Sequence, residues 1–268
     1  MTSGRADYAR RVSVLVCFHA HPDDEVFSTG GTIRLAADAG HRVVLVTATD
    51  GALGEFPDGI LEPGESLLSR RRRELETSAE ALGVHRLVMF DYPDSGMAGT
   101  PENENPAAFS NIPVEEAARR LADVLVEESA DVVTFYDSNG GYGHPDHIAV
   151  HHVGRAAAEM AETPHRFESV ANRDSMKAMM KANPAWTEDT PDLDLDSFGV
   201  PASEITVEVD VTSVIDAKRA AMVAHATQVG DFGPFLAMPI ELLRTVFGVE
   251  WFRHADLRQR PMVDRLPL

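Results

Sequence analysis

The sequence predicts an α/β protein built on a parallel sheet with helices on both faces. Short apolar runs rich in β-branched residues alternate with longer amphipathic segments through the first half of the chain. This alternation is typical of βαβ units, whose strands are buried on both faces. Several of the runs end directly in polar residues, at the edge of the sheet where open α/β folds bind their ligands.

The apolar runs predict the strands. Four buried strands are expected at Val12–Phe18, Arg42–Thr49, Arg86–Phe90 and Val132–Tyr136. A fifth strand is expected at His165–Val170. Glu204–Val211 alternates between apolar and polar residues as a half-buried strand does, and Val249–Phe252 is a further apolar run.

The segments between the strands carry helical periodicity. Thr29–Ala39 and Glu65–Leu82 are each followed by a glycine, which is the usual residue after a helix. Further helices are expected over Glu115–Glu128, His147–Ala161, Arg173–Lys181, Val214–Ala226 and Pro234–Phe247. The acidic stretch Thr187–Ser197 is expected to be an exposed loop or linker.

The strand–helix rhythm weakens after about Pro164. We therefore expect a core over residues 1–163 that carries the metal-binding loops. Residues 164–268 are expected to form a smaller α+β portion that completes the same domain. That portion is expected to pack beside the site and to supply the substrate pocket.

Composition limits the classes of partner. A net charge of −19 argues against binding to nucleic acid or to an anionic membrane surface, since both need a basic face. Cys17 is the only cysteine, so there is no internal disulfide, and its place inside an apolar run indicates a buried side chain. The polar stretch Met1–Arg11 lacks the apolar core of a signal peptide, and no run reaches membrane-spanning length. The expected location is the cytoplasm.

A first polar loop, His21-Pro22-Asp23-Asp24-Glu25, follows the first strand. His21 and Asp24 lie three residues apart around a proline turn, so both can reach one divalent ion. Catalytic zinc typically takes three nitrogen and oxygen ligands and keeps a position for water, whose pKa it lowers. Asp23 would then be free to accept a proton as a general base.

A second loop, His144-Pro145-Asp146-His147, follows the fourth strand. His147 can supply a third ligand to the same ion, and His144 can stabilise an oxyanion or protonate a leaving amine. Asp146 can serve as the charge partner of an imidazole. His151 lies four residues after His147 on the same predicted helix, a spacing that also binds metals, so it is a rival ligand.

The two loops together resemble those of the LmbE-like/PIG-L family of metal-dependent N-deacetylases. Supporting matches span residues 12–230. They are Arg71-x-x-Glu74-Leu75 on a helix, Asp94-Ser95-Gly96-Met97 after the third strand, and Lys218 followed by His225-Ala226-Thr227-Gln228.

The resemblance implies a Rossmann-like sheet, a zinc ion (or another divalent metal such as Fe2+) and removal of acetyl from N-acetylglucosamine-type substrates. Carried over by position, it implies that the metal ligands are His21, Asp24 and His147. Asp23 matches the general base, His144 the oxyanion or leaving-amine residue, and Asp146 the orienting partner of that histidine. The implied substrate-binding residues are Arg71, Asp94 and Tyr142.

Within the family, Asp94–Pro101 and Gly140–Gly143 are most similar to the branch that acts on N-acetylglucosaminyl-inositol in mycothiol biosynthesis. Amidases of mycothiol S-conjugates are a related branch and an alternative activity. Val26 and Phe27, after the first loop, depart from the branch pattern, which leaves the exact substrate open. The expected partner is a small amino-sugar, and the subunit number stays open, a homo-oligomer included.

Two other classes share parts of this pattern. A dinucleotide-binding oxidoreductase would need a G-x-G-x-x-G turn, and Gly30-Gly31-Thr32 is not one. A non-catalytic sugar- or metal-binding module of the same fold would have no need of Asp23, which is present. Arg71 has a further alternative, because it is one of four consecutive arginines, Arg70–Arg73, that could all lie on a solvated helix face.

Overall fold

The fold is organised by a mixed sheet. The structure is a computed structural model that describes residues 12–182, 198–228, 233, 235–256 and 262–268. Within these ranges the sheet has seven strands in the order β3-β2-β1-β4-β5-β7-β6. Their bounds are β1 Val14–His19, β2 Arg42–Thr49, β3 Arg86–Tyr92, β4 Val132–Tyr136, β5 His165–Val170, β6 Val207–Asp210 and β7 Val249–His254.

Helices cover both faces of this sheet. Their bounds are α1 Asp24–Ser28, α2 Gly30–Asp38, α3 Leu67–Leu82, α4 Val114–Glu127, α5 Pro145–Met160, α6 Arg173–Ala182, α7 Ile215–Ala224 and α8 Ile240–Phe247. Leu15 and Cys17 of β1 point into one core, which α2, α3, α7 and α8 cover. Val16 and Phe18 point into the other, under α4 and α5. Consecutive strand residues therefore bury themselves on opposite faces, as the continuous apolar runs predict.

The α/β fold class is confirmed, with one refinement. The strands β1 to β5 are parallel, but β7 pairs antiparallel with both β5 and β6. Two strands of the C-terminal portion therefore extend the main sheet instead of only packing beside it. In β6, Val207 and Val209 are buried while Glu208 and Asp210 are exposed. This alternation is typical of a strand with one face on the core and one face in solvent.

Most predicted elements are present with shifts of one or two residues at their ends. The short helix α1, directly after the first polar loop, was not predicted. The predicted loop Thr187–Ser197 lies outside the described residues. Among the described residues, none of the helices combines the length and the apolar character needed to cross a bilayer.

The strand order places a crevice beside β1. From β1 the chain pairs with β2 on one side and with β4 on the other, so the order reverses at the β1–β4 pair. The carboxyl ends of strands at such a reversal point are where open α/β sheets bind ligands. The loops that follow β1 and β4 are the two His-Pro-Asp loops, and the topology therefore brings them to one crevice.

Candidate metal centre and catalytic site

Three side chains from the two loops converge on one point. His21 Nδ1 lies 3.3 Å from Asp24 Oδ2 and 3.3 Å from His147 Nε2, and the last two atoms are 3.4 Å apart. Zinc binds such nitrogen and oxygen atoms at about 2.0–2.2 Å, and a tetrahedral arrangement then separates the ligand atoms by about 3.3–3.6 Å. The spacing and the donor set of these three atoms therefore fit a divalent ion.

In both histidines, the ring nitrogen that points away from the convergence point makes a hydrogen bond, which supports this interpretation. His21 Nε2 lies 3.2 Å from Asp146 Oδ2, and His147 Nδ1 lies 3.1 Å from the carbonyl oxygen of Gly140. Both partners are acceptors, so each far nitrogen carries the hydrogen and each near nitrogen offers a lone pair. Two lone pairs and a carboxylate oxygen that face each other need a cation or a proton between them. Partners of this kind on the outer nitrogen are common for metal-binding histidines.

The absence of a side chain at Gly140 allows His147 to approach the other two side chains. Gly140 has a φ of 59°, and a Cβ at this position would lie 2.4 Å from the Cβ of His147. Proline at the first position of α5 then starts the helix that carries His147.

Asp23 lies beside the cluster formed by His21, Asp24 and His147, and its backbone conformation is strained. It is half-buried and precedes α1 with φ 129° and ψ −28°, which non-glycine residues rarely adopt. Burial, with the charge of Asp24, raises the pKa of Asp23 to about 8. Burial alone would raise the pKa of Asp24 too, but His147 and His21 hold it well below its usual range.

His144 is a buried, neutral imidazole at the start of α5. Its Nδ1 accepts a hydrogen bond from the backbone N–H of Asp146 at 3.1 Å, which assigns the hydrogen to Nε2. Burial, with the neighbouring His21 and His147, lowers the pKa of His144 to about 4. The ring lies 4.6 Å from that of His21 between centroids. At neutral pH, His144 is therefore a hydrogen-bond donor next to the cluster.

The carboxylate of Asp146 contacts His21 and not the ring of His144. Besides His21, it accepts from the backbone N–H of Ser95 at 2.9 Å and from the Ser95 hydroxyl. Burial alone would raise the pKa of Asp146, but these bonds, with His21 the strongest, lower it. The expected pairing with His144 is made only by the Asp146 backbone. Ser95, whose side chain fixes this carboxylate, had no predicted role.

The three predicted substrate-binding residues differ in position. Tyr142 is about half exposed, and its hydroxyl lies 3.4 Å from His147 Nε2. Asp94 is largely buried, with Oδ1 3.7 Å from His21 Nε2. Both therefore border the cluster.

Arg71 lies in the loop region that borders the first polar loop, since a Cβ at Gly51 would lie 2.9 Å from Pro22 Cδ and 3.1 Å from Arg71 Nη1. It is buried, and its guanidinium donates to the carbonyl oxygens of Gly51 and Glu55 in the loop after β2. The substrate contact of Arg71 stays a prediction. The alternative of a solvated surface arginine is wrong, because the side chain is buried.

His151 is not among the converging side chains. Its Nδ1 lies 3.0 Å from the carbonyl oxygen of Tyr136 and 3.6 Å from Glu168, one helical turn beyond His147. Within the described part of the chain, the groups able to hold an ion by ligand-atom spacing also include His144, either with His21 and His147 or with His21, Asp94 and Asp146. His21 belongs to each of these groups.

The protein is thus of the α/β class, with a histidine–carboxylate cluster that could hold an ion where the strand order reverses. A sequence profile of one family, described as PIG-L: GlcNAc-PI de-N-acetylase, matches residues 16–158. This chain belongs to that family, and the resemblance inferred from the two loops is confirmed.

Named relatives extend the match beyond the profile. A protein of Acidothermus cellulolyticus named 1D-myo-inositol 2-acetamido-2-deoxy-alpha-D-glucopyranoside deacetylase is 38% identical over 257 residues, which cover 90% of this chain and 88% of the relative. A Thermomonospora curvata protein with the same name is 36% identical over 270 residues, with 91% of each chain covered. Among solved structures, the N,N'-diacetylchitobiose deacetylase of Pyrococcus horikoshii superposes with a TM-score of 0.58 at 25% identity, over 90% of this chain and 83% of that one.

Proposed function

We propose that this protein hydrolyses the N-acetyl group of an N-acetylglucosamine-type sugar conjugate, with a glucosaminyl-inositol as the first candidate substrate. The observation that carries the proposal is the triangle of His21, Asp24 and His147 ligand atoms with Asp23 and His144 beside it. The names of the relatives indicate the substrate class. Zinc is the proposed ion, with Fe2+ as the alternative, because the donor set is two imidazole nitrogens and one carboxylate oxygen.

In this proposal His21, Asp24 and His147 hold the ion. When bound, a divalent cation polarises a carbonyl group and makes a nearby water more acidic. Asp23 accepts the proton of the attacking water as its oxygen adds to the acetamide carbon. Burial and the charge of Asp24 raise the pKa of Asp23 to about 8, so a cation held at Asp24 would lower this pKa and favour the proton-free base.

His144 acts as the donor to the developing oxyanion. Its ring is neutral and carries hydrogen on Nε2, so it can stabilise negative charge without losing a proton. The carbon–nitrogen bond then breaks, and the proton held by Asp23 passes to the departing nitrogen. The products are acetate and the free amino sugar. Because Asp23 carries out both proton transfers, its carboxylate must stay in one place through the cycle.

Asp94 and Tyr142 are the proposed contacts to the sugar, since both border the cluster and Tyr142 is exposed. Arg71 is the third proposed contact, near the far end of the substrate. Its hydrogen bonds to Gly51 and Glu55 also hold the loop that follows β2. In this proposal the division of the chain is unchanged: residues 1–163 carry the metal-binding loops and residues 164–268 complete the domain.

Release of primary amine tests the proposal. Protein treated with chelator and reloaded with Zn2+ or Fe2+ is offered N-acetylglucosaminyl-inositol, N-acetylglucosamine, diacetylchitobiose and a mycothiol S-conjugate. The expected result is metal-dependent release with the inositol conjugate preferred. Preference for the S-conjugate would favour the amidase alternative, and stoichiometric ion without any release would favour a binding module.

Two variants separate metal binding from catalysis. Asp23→Asn should keep the ion but lose about 10²–10⁴-fold in kcat, since an amide cannot accept the proton. His147→Ala should lose the ion itself, as measured by metal analysis of folded protein. His152→Ala is the matched control, because this neighbouring histidine on α5 is exposed. Full turnover by Asp23→Asn would place the base elsewhere.

A further inference from the structure

A single peptide group next to the metal cluster is held at both ends. It joins Pro22 to Asp23. Its carbonyl oxygen accepts a hydrogen bond from Gln228 Nε2 at 2.7 Å, and its N–H donates to Glu25 Oε2 at 3.0 Å. Gln228 and Glu25 are both buried. The two bonds fix the plane of this peptide from opposite sides.

The carboxylate of Glu25 is itself fixed by two donors. Its Oε1 accepts from the Ser78 hydroxyl at 2.5 Å and lies 2.7 Å from His225 Nε2. All three side chains are at most 1% exposed. His225 and Gln228 belong to one short segment after α7, so this segment determines the position of both ends of the peptide.

The backbone of Asp23 explains why such a restraint is needed. Turning the Pro22–Asp23 peptide over, a rotation of about 180°, would bring the φ of Asp23 from 129° to about −50°. With its ψ of −28° the residue would then be an ordinary helical residue ahead of α1. The turned-over peptide would relieve the strain at Asp23 but would break both hydrogen bonds, so these two bonds hold Asp23, and the carboxylate that it carries, in the strained loop conformation.

We infer that Gln228 and His225 are positioning residues for the general base, which hold the Pro22–Asp23 peptide in its strained orientation and so aim the Asp23 carboxylate at the reacting water. The inference rests on the proposed role of Asp23. It gives a task to the His225-Ala226-Thr227-Gln228 motif, for which the sequence indicated none.

The segment that carries these residues has its own anchor. Thr227 lies between them and bonds Glu74 of α3, through its N–H at 3.1 Å and its hydroxyl at 2.6 Å. The bond from Gln228 to Pro22 is therefore not needed to attach the segment. Thr227 is the matched control, because its side chain is buried in the same segment and its hydroxyl donates to Glu74.

Kinetics of four variants test the inference. Gln228→Ala and His225→Ala should each lose about 10- to 100-fold in kcat, since small misplacement of a reacting group costs about that much. Their KM and bound metal should stay unchanged. His225→Gln, whose amide can still donate to Glu25, should recover much of the loss. Thr227→Val should lower stability while keeping kcat.

A second measurement needs no activity. In metal-free protein, the amide hydrogen of Asp23 should exchange with solvent faster in Gln228→Ala than in wild type, and at the wild-type rate in Thr227→Val. Equal exchange in all three proteins would overturn the inference, as would a fully active Gln228→Ala beside an impaired Asp23→Asn. Full turnover by Asp23→Asn would instead overturn the base assignment, and this inference with it.

Discussion

At the scale of single residues, His21 uses its two ring nitrogens for two different contacts. Nδ1 faces Asp24 and His147, while Nε2 faces Asp146. Because the two nitrogens lie on opposite sides of the ring, the contact with Asp146 settles both the tautomer and the direction in which Nδ1 points. Asp146 thus acts on the proposed metal site through His21.

Asp146→Asn should therefore weaken metal binding by about 10- to 100-fold, since a neutral amide polarises the His21 ring less than a carboxylate does. Competition with a chelator of known affinity at fixed pH measures this. Ser95→Ala, which removes one donor to the same carboxylate, should have a smaller effect in the same direction. Unchanged metal affinity with a displaced pH–rate profile would instead indicate that Asp146 is the orienting partner of His144, as the sequence predicts.

Residue types and spacing predicted which side chains gather at the crevice, but not all of their pairings. The proline turn and the helix start determine that His21, Asp24 and His147 can meet. Which ring nitrogen faces Asp146 depends on the Ser95 loop, which is distant in sequence. The partners of Arg71 were not predictable either, since no local pattern indicates that loop carbonyls bind its guanidinium.

At the scale of elements, β7 caps α2. The carboxylate of Glu250 accepts the N–H groups of Gly31 and Thr32, both at 2.8 Å, at the start of α2. Thr29 at the cap position makes no side-chain cap bond, so Glu250 supplies it from another element. Lys218 of α7 neutralises this buried carboxylate at 2.7 Å.

Lys218→Met should destabilise the fold by about 3–5 kcal/mol, because it leaves the charge of Glu250 buried without a partner. Adding Glu250→Gln should recover part of the loss, since the two changes are coupled. Urea unfolding measures both. The exposed pair Arg34–Asp38 is the control, and Arg34→Ala should cost less than about 1 kcal/mol. A similar small cost for Lys218→Met would show that water reaches Glu250.

Element positions were predictable because each apolar run has the length and composition of one strand or helix face. The short helix α1 has only five residues, too few for a periodic pattern. The direction of β7 was not predictable either. Whether it pairs parallel or antiparallel with β5 depends on contacts between residues such as Phe167 and His254, which lie far apart in the chain.

At the scale of the whole molecule, the proposed metal binding would be linked to folding. The three proposed ligands lie on two loops that only the folded sheet brings together, so an ion stabilises the native state over the unfolded one. At an ion concentration of about 100 times Kd the gain is about 2.7 kcal/mol. For a chain of this size that raises Tm by about 5–10 °C.

Thermal unfolding followed by circular dichroism, with chelator and after Zn2+ is returned, measures this shift. His147→Ala should show the same Tm under both conditions, whereas His152→Ala should behave as wild type. A shift that survives in His147→Ala would mean that the ion binds elsewhere on the molecule.

The double restraint on the Pro22–Asp23 peptide has a consequence for the order of events during synthesis. Translation proceeds from the N-terminus, so the ribosome completes all three proposed ligands well before it reaches His225 and Gln228. Once β1 and β4 of a nascent chain have paired, the proposed ligands can hold an ion while Asp23 still lacks the partners that aim it. Under the proposed function, metal retention and catalytic competence would then be acquired at different times, and an incomplete chain would carry a cation without hydrolysing the acetamide.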